Sequence, residues 1–223
     1  MSKNARQFKA VLFDLDGTLL DTLKDMADSM NRVLRENGFP EHPVDNYRFY
    51  VGDGSWKLVF RALPEEHRDD ATVERCLEAY KTVYAQHWAV ATRPYPGVAA
   101  MLDGLAGQGV KTAVFTNKYQ GFAEQTIERF LPGNALHPVV GIKDGTPHKP
   151  DPLGALAAAK TLGFAPGEFL YLGDSGVDML TATRAGMYPV GALWGFRPEQ
   201  ELRENGAQTL IRRPEEMLDF FRR

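Results

Sequence analysis

The sequence predicts an α/β protein: a Rossmann-like parallel sheet core, with a small helical cap domain inserted after the first strand. Several short apolar runs do not alternate with polar residues, which is typical of strands buried on both faces. From residue 97 onward such runs alternate with helical patterns, which favours a parallel sheet covered by helices. The stretch between Leu20 and Pro94 contains helical patterns and no good strand run. It therefore predicts the insert.

Each element has a signal of its own in the sequence. The predicted strands are 10–13, 110–115, the run around Val139 and Val140, 169–172 and 190–193. The predicted core helices are 98–105, 123–130, 153–162 and 178–185, the last closed by Gly186 at a C-cap. The predicted cap helices are 21–37, 56–63 and 73–88. We therefore assign residues 1–20 and 94–223 to the α/β core and residues 21–93 to the helical cap.

Composition excludes several classes of protein. The chain has 223 residues, 43% of them hydrophobic and 25% charged, with a net charge of −3. This balance gives no electrostatic reason to expect nucleic acid or an anionic membrane as a partner. No window reaches 18 consecutive apolar residues, and residues 1–9 lack the apolar stretch of a signal peptide. One cysteine, Cys76, excludes an intramolecular disulfide. We expect a cytoplasmic protein, monomeric or homodimeric.

Polar side chains follow three of the predicted strands. In open parallel sheets, ligands bind beyond the carboxyl ends of the strands, so these side chains should converge at one edge. They are Asp14, Asp16, Thr116, Asn117, Asp174 and Asp178. Their convergence from separate strands is the main indication of a site in the sequence.

The segment after the first strand combines two acids with a glycine. Asp14 and Asp16 are two residues apart, which places both carboxylates on the same side of an extended strand end. Close carboxylates repel each other, and a divalent cation relieves that repulsion. Gly17 permits unusual backbone angles and the close approach of an anion. Turn formation or helix capping by the same residues is the alternative.

The remaining candidates are a second acidic pair, a polar pair and a lysine. Asp174 and Asp178 repeat the arrangement of an acid after an apolar run, although helix capping would also explain one of them. The Thr116-Asn117 pair can bind a phosphate oxygen, or simply form a turn. Lys149 lies in a loop stiffened by prolines, where it can neutralise a phosphate; an exposed loop lysine is the alternative.

Four segments together resemble a known family. Residues 14–22, 115–117, 149–152 and 173–178 are similar, in this order, to the four motifs of the haloacid dehalogenase-like superfamily of hydrolases. The insert after the first motif resembles the small helical cap of that superfamily. Within it, the closest resemblance is to phosphoglycolate phosphatases, in the segments Thr116-Asn117-Lys118, Lys149-Pro150-Asp151-Pro152-Leu153 and Leu193-Trp194-Gly195-Phe196.

The resemblance implies a role for each matching residue. Asp14 would be the nucleophile that forms an aspartyl-phosphate, and Asp16 the general acid and base. Thr116, Asn117, Gly17 and Lys149 would hold the phosphoryl group. Mg²⁺ would be bound by the carboxylates of Asp14 and Asp174, the carbonyl oxygen of Asp16 and, directly or through water, Asp178. Phosphoryl transfer mostly needs such positioning and charge neutralisation.

The resemblance leaves the substrate open. A small phosphate monoester is implied, with 2-phosphoglycolate as the expected substrate; its carboxylate would be met by the helix start near Ser55 and by Lys57 or Arg61. Alternatives are pyrophosphate, a sugar phosphate or a nucleotide. A sugar-phosphate mutase is disfavoured because the run from Gly52 to Trp56 lacks the arginine those proteins carry. A non-catalytic phosphate-binding regulatory protein is the alternative outside enzymes.

Overall fold

The structure is a computed structural model that describes residues 8–133 and 135–222. The chain divides into two compact units. One consists of residues up to Leu19 together with those from Pro94 onward, and the other is Leu20–Arg93. Among the described residues, no helix has both the length and the apolar character needed to cross a membrane.

The first unit is built on a six-stranded parallel sheet with the strand order β5-β4-β1-β6-β7-β8. The strands are β1 (Ala10–Phe13), β4 (Lys111–Tyr119), β5 (Leu136–Ile142), β6 (Phe169–Gly173), β7 (Tyr188–Ala192) and β8 (Thr209–Ile211). Two short strands, β2 (Leu20–Asp21) and β3 (Arg93–Pro94), form a separate pair. The predicted parallel α/β core is confirmed.

Helices follow most of these strands. They are α4 (Val98–Gly107), α5 (Gln120–Phe130), α6 (Leu153–Leu162), α7 (Gly176–Ala185) and α8 (Glu199–Glu204). In α6, the small side chains of Ala155, Ala158 and Ala159 are buried in a cluster that includes Phe115. A Cβ atom on Gly154 would overlap the Phe115 ring. The small residues of α6 therefore let this helix approach the sheet closely.

Two features of the sheet differ from the prediction. Strand β4 does not end before Thr116 but continues to Tyr119, five residues past Val114, the last β4 residue that pairs with β1. Polar residues at 116–119 resemble a strand end in sequence, yet β4 still pairs there with β5 through a shifted register. The other difference is β8, a strand whose three residues are too few to show a periodic pattern in the sequence.

The second unit contains three α-helices, α1 (Leu23–Glu36), α2 (Ser55–Ala62) and α3 (Asp70–His87), and two 3₁₀ helices, Val44–Phe49 and Glu65–His67. A buried carboxylate, Asp25 on α1, accepts hydrogen bonds from the backbone N–H groups of Val90, Ala91 and Thr92 and from the Thr92 hydroxyl. Bonds to an ionised acceptor are stronger than bonds between neutral groups. Asp25 therefore fastens the segment that follows α3.

Candidate active site

Three buried carboxylates gather at the carboxyl ends of β1 and β6. Asp14 directly follows β1, Asp174 directly follows β6, and Asp178 lies in the first turn of α7. Each offers an oxygen within 4.8 Å of those of the other two. Their spacing and burial make them a candidate site for a metal ion, as the sequence predicts for these three residues.

Local hydrogen bonds fix the two acids that follow β6. Asp174 accepts from the Thr18 hydroxyl at 3.1 Å and from the Phe196 N–H at 2.7 Å. Asp178 accepts from the Ser175 hydroxyl at 2.6 Å and from the Ser175 N–H at 3.1 Å. Ser175 is the N-cap of α7, so the capping interaction also aims the Asp178 carboxylate.

Lys149 is the cation of this cluster. Its Nζ lies 2.7 Å from Asp14 Oδ1 and 2.7 Å from Asp178 Oδ1, and the residue is only 5% exposed. The Asn117 side chain accepts the Lys149 backbone N–H at 2.8 Å. The alternative of an exposed loop lysine is therefore wrong, because this lysine is buried between two acids.

Burial and mutual repulsion act on the protonation of this cluster. Desolvation, followed by the charge of Asp178, raises the pKa of Asp14 well above its ordinary value. The same causes raise the pKa of Asp174 to about 7, although bonds from Phe196 and Thr18 oppose the rise. For Lys149, burial works to lower the pKa, but the two acids outweigh it and the pKa is raised. The lysine therefore stays charged, while negative charge in the triad is costly without a further cation.

Asp16 stands apart from the triad, because its carboxylate is paired with Lys118. Lys118 Nζ lies 2.9 Å from Asp16 Oδ1 and 3.0 Å from Oδ2. The predicted part of Asp16 in metal binding, through its backbone carbonyl oxygen, does not involve the carboxylate and stays a prediction.

Glycines make room around Asp174. Gly17 has a φ of +86°, a backbone conformation that residues with a side chain rarely adopt, and a Cβ atom there would collide with the Asp174 carboxylate. A Cβ atom on Gly195 would collide with the Asp174 side chain as well. Trp194, in the loop after β7, donates its indole N–H to the Thr18 carbonyl at 3.0 Å. The loop after β7 thus braces the segment after β1.

Thr116 and Asn117 lie within β4 rather than beyond it. Thr116 is buried, and its hydroxyl accepts the Lys118 N–H at 3.2 Å. The Asn117 oxygen holds the loop of Lys149. Their contact with a phosphate stays a prediction, but Asn117 has a structural task that sequence reasoning did not foresee.

Sequence reasoning also missed the residues that position the predicted ones. Lys118 was noted only as part of a motif, and its pairing with an acid 102 positions away leaves no local pattern. The Phe196 N–H is a backbone group and carries no signal in the sequence. Ser175 is different, because a serine at a helix start indicates a cap in the sequence, and the structure confirms it as the N-cap of α7.

Comparison with known proteins agrees with this geometry. A family model described as haloacid dehalogenase-like hydrolase matches residues 11–192. A phosphoglycolate phosphatase from Pseudomonas putida is 36% identical over 192 residues, covering 84% of this chain and 70% of the relative. One from Aquifex aeolicus is 33% identical over 188 residues, covering 84% and 86%.

Solved structures show the same likeness. A structure from Lactobacillus delbrueckii subsp. bulgaricus, provisionally described as a phosphoglycolate phosphatase, has a TM-score of 0.91 and 29% identity. The match covers 96% of this chain and 98% of that one. A predicted phosphoglycolate phosphatase from Haemophilus somnus has a TM-score of 0.88 and 25% identity, covering 97% and 99%.

Carboxylates and a lysine at the carboxyl ends of a parallel sheet, together with these relatives, define an enzyme that hydrolyses phosphoric monoesters. The chain belongs to the haloacid dehalogenase-like hydrolases.

Proposed function

We propose that this protein hydrolyses 2-phosphoglycolate through an aspartyl-phosphate on Asp14, with Mg²⁺ as cofactor. The observation that carries the mechanism is the buried group of Asp14, Asp174 and Asp178 with Lys149 between two of them. The substrate rests on the relatives, several of which are named phosphoglycolate phosphatase at 31–36% identity. No nucleic-acid or membrane partner is part of the proposal.

The chain's own groups supply the nucleophile and the proton transfers of both chemical steps. An Asp14 carboxylate oxygen attacks phosphorus and the bond to the ester oxygen breaks, while Asp16 gives that oxygen its proton. In the second step Asp16 takes a proton from water, the hydroxide attacks phosphorus, and the bond to Asp14 breaks. The products are the alcohol and inorganic phosphate, and Asp16 is protonated again. Lys149, Thr116 and Asn117 hold the phosphoryl oxygens, and Gly17 leaves room for them.

The donor set fits a hard divalent cation. The three ionised acids of the triad, Asp14, Asp174 and Asp178, face one lysine, Lys149. Two negative charges are then uncompensated, which is the charge that one divalent cation supplies. All of the offered ligands are oxygens, as Mg²⁺ prefers. When bound, the ion would neutralise charge on the phosphoryl group, and the Asp14 and Asp174 carboxylates would hold it, with Asp178 beside them.

Mg²⁺ dependence is the first test. We expect excess chelator to stop turnover and Mg²⁺ to restore it. Because the pKa of Asp174 is raised to about 7, protons compete with the metal below that pH. The apparent Mg²⁺ affinity, measured by calorimetry, should therefore strengthen as pH rises through about 7. Asp174→Asn should weaken it, whereas Asp103→Asn, which changes an exposed acid on α4, should not. Full activity in excess chelator would contradict the proposed cofactor.

We also propose that the helical unit Leu20–Arg93 serves as the cap that selects the substrate. Within this unit, Arg61 is bound to the Asp53 carboxylate at 2.6 Å and to the Tyr50 carbonyl at 3.1 Å. Lys57 lies 5.1 Å from the centre of the Trp56 ring. These contacts revise the expected part of Arg61, whose guanidinium shapes the loop before α2 and is partly neutralised by Asp53. The start of α2 at Ser55 and the Lys57 ammonium remain the proposed partners of the substrate carboxylate.

A substrate comparison tests the specific assignment. We expect the kcat/KM for 2-phosphoglycolate to exceed the values for glucose phosphates, pyrophosphate and nucleoside monophosphates. If 2-phosphoglycolate ranks clearly below any of these, the substrate assignment fails, but the phosphatase mechanism stands. Lys57→Met should lower kcat/KM for 2-phosphoglycolate more than for ethyl phosphate, which lacks the carboxylate. Equal losses of kcat/KM for the two esters would mean that a group other than Lys57 binds the substrate carboxylate.

A further inference from the structure

The pair of Lys118 and Asp16 joins strand β4 to the loop after β1 at the active site. Lys118 Nζ contacts both oxygens of the Asp16 carboxylate, at 2.9 and 3.0 Å. The two side chains are 5% and 15% exposed, so little water competes for the contact. A surface ion pair orders its partners weakly, but a pair largely shielded from water is held more strongly.

The unexpected length of β4 makes the contact possible. Lys118 lies in the part of β4 beyond Val114, the last residue paired with β1. This extension carries the lysine past the end of β1 to the loop that contains Asp16. If β4 ended before Thr116, as the sequence suggests, there would be no reason to expect Lys118 beside Asp16.

We propose that Lys118 is a positioning residue that orients the Asp16 carboxylate for proton transfer. The inference rests on the proposed function, in which Asp16 is the general acid and base. The χ2 angle of an aspartate has a broad distribution, so the carboxylate plane can rotate unless another group holds both oxygens. With a proton on one oxygen, the other still accepts from Lys118. The lysine therefore sets the direction of the proton-carrying oxygen in both steps.

The two lysines of the site have separate partners. Lys149 contacts Asp14 and Asp178, whereas Lys118 contacts Asp16, which is outside the acid triad. Loss of Lys118 should therefore impair proton transfer and leave the metal group intact. This separates a positioning role from direct phosphate binding, which would affect every phosphate ester alike.

The test compares two esters that differ in their need for a general acid. The leaving alkoxide of 2-phosphoglycolate needs a proton, but the nitrophenolate of p-nitrophenyl phosphate leaves without one. In Lys118→Met, we expect kcat/KM for 2-phosphoglycolate to fall by about 10²-fold, the usual contribution of a general acid. The fall for p-nitrophenyl phosphate should be smaller by about tenfold or more. Hydrolysis of the aspartyl-phosphate follows the first irreversible step, so it does not enter kcat/KM.

A double variant shows whether Lys118 acts through Asp16. Asp16→Asn should produce the same selective loss, and adding Lys118→Met to it should cost little more, because residues that act as one unit are not additive. Lys118→Arg, which keeps the charge, should restore part of the activity. Lys160→Met on the exposed face of α6 is the control. If Lys118→Met does not fold, Lys118→Gln replaces it in the same comparison.

Equal losses for both esters, or additive losses in the double variant, would overturn the inference. The inference and the proposed function can fail separately. If Asp14→Asn and Asp16→Asn both retain wild-type activity, the proposed mechanism fails. If they lose activity while Lys118→Met keeps the wild-type ratio of the two esters, only the positioning role of Lys118 fails.

Discussion

Asp14→Asn is expected to lower kcat by roughly 10⁴-fold or more, the scale seen when a covalent nucleophile is removed. The amide has nearly the shape of the carboxylate but is a poor nucleophile and a poor metal ligand. In the wild type, rapid acid quenching followed by mass spectrometry should find one phosphoryl group on the peptide that contains Asp14. The variant should show none. The matched control is Asp103→Asn on α4, which makes the same chemical change at an exposed site.

Stability provides an independent check that the Asp14→Asn protein is folded. The folded-state pKa of Asp14 is raised, so its negative charge opposes folding, and this cost grows as pH rises from the unfolded-state pKa through the folded one. Asparagine carries no charge, so the Tm of the metal-free variant at neutral pH should be at least as high as that of the metal-free wild type. Near-wild-type turnover by a folded Asp14→Asn protein would refute the phospho-aspartate mechanism.

Sequence patterns were reliable where one strong signal dominated. The first strand, β1 (Ala10–Phe13), and helix α6 (Leu153–Leu162) have the predicted bounds. An unbroken apolar run defines β1, and an alanine-rich sequence between Pro152 and Gly163 defines α6. The strand-end acids Asp14, Asp174 and Asp178 converge as predicted, because parallel strands carry their carboxyl ends to one edge.

Sequence patterns failed where long-range contacts decide the structure. The polar residues from Thr116 to Tyr119 resemble a strand end in sequence, but pairing with β5 keeps this segment extended. The 3₁₀ helix at Val44–Phe49 is one short stretch without the helical period used to find α-helices. The pairing of Lys118 with Asp16 depends on where β4 ends in space. No local pattern specifies it.

Lys149→Met is expected to lower both activity and stability. Methionine fills a similar volume but leaves Asp14 and Asp178 without the ammonium that lies 2.7 Å from each. Removing one partner of a buried ion pair costs about 3–5 kcal/mol, because the remaining charge is buried without compensation. Removing a group that stabilises transition-state charge lowers kcat by about 10²–10³-fold. Urea unfolding in excess chelator and steady-state kinetics with Mg²⁺ measure the two effects.

A second substitution separates the two roles of Lys149. Adding Asp178→Asn to Lys149→Met removes one of the stranded charges, so part of the lost unfolding free energy should return. Activity should not return, because the phosphoryl group still lacks its ammonium. Lys160→Met, in which the lysine is exposed, should alter neither quantity. Wild-type stability in Lys149→Met would mean that the buried acids need no lysine, and recovery of activity in the double variant would mean that Lys149 serves only to balance Asp178.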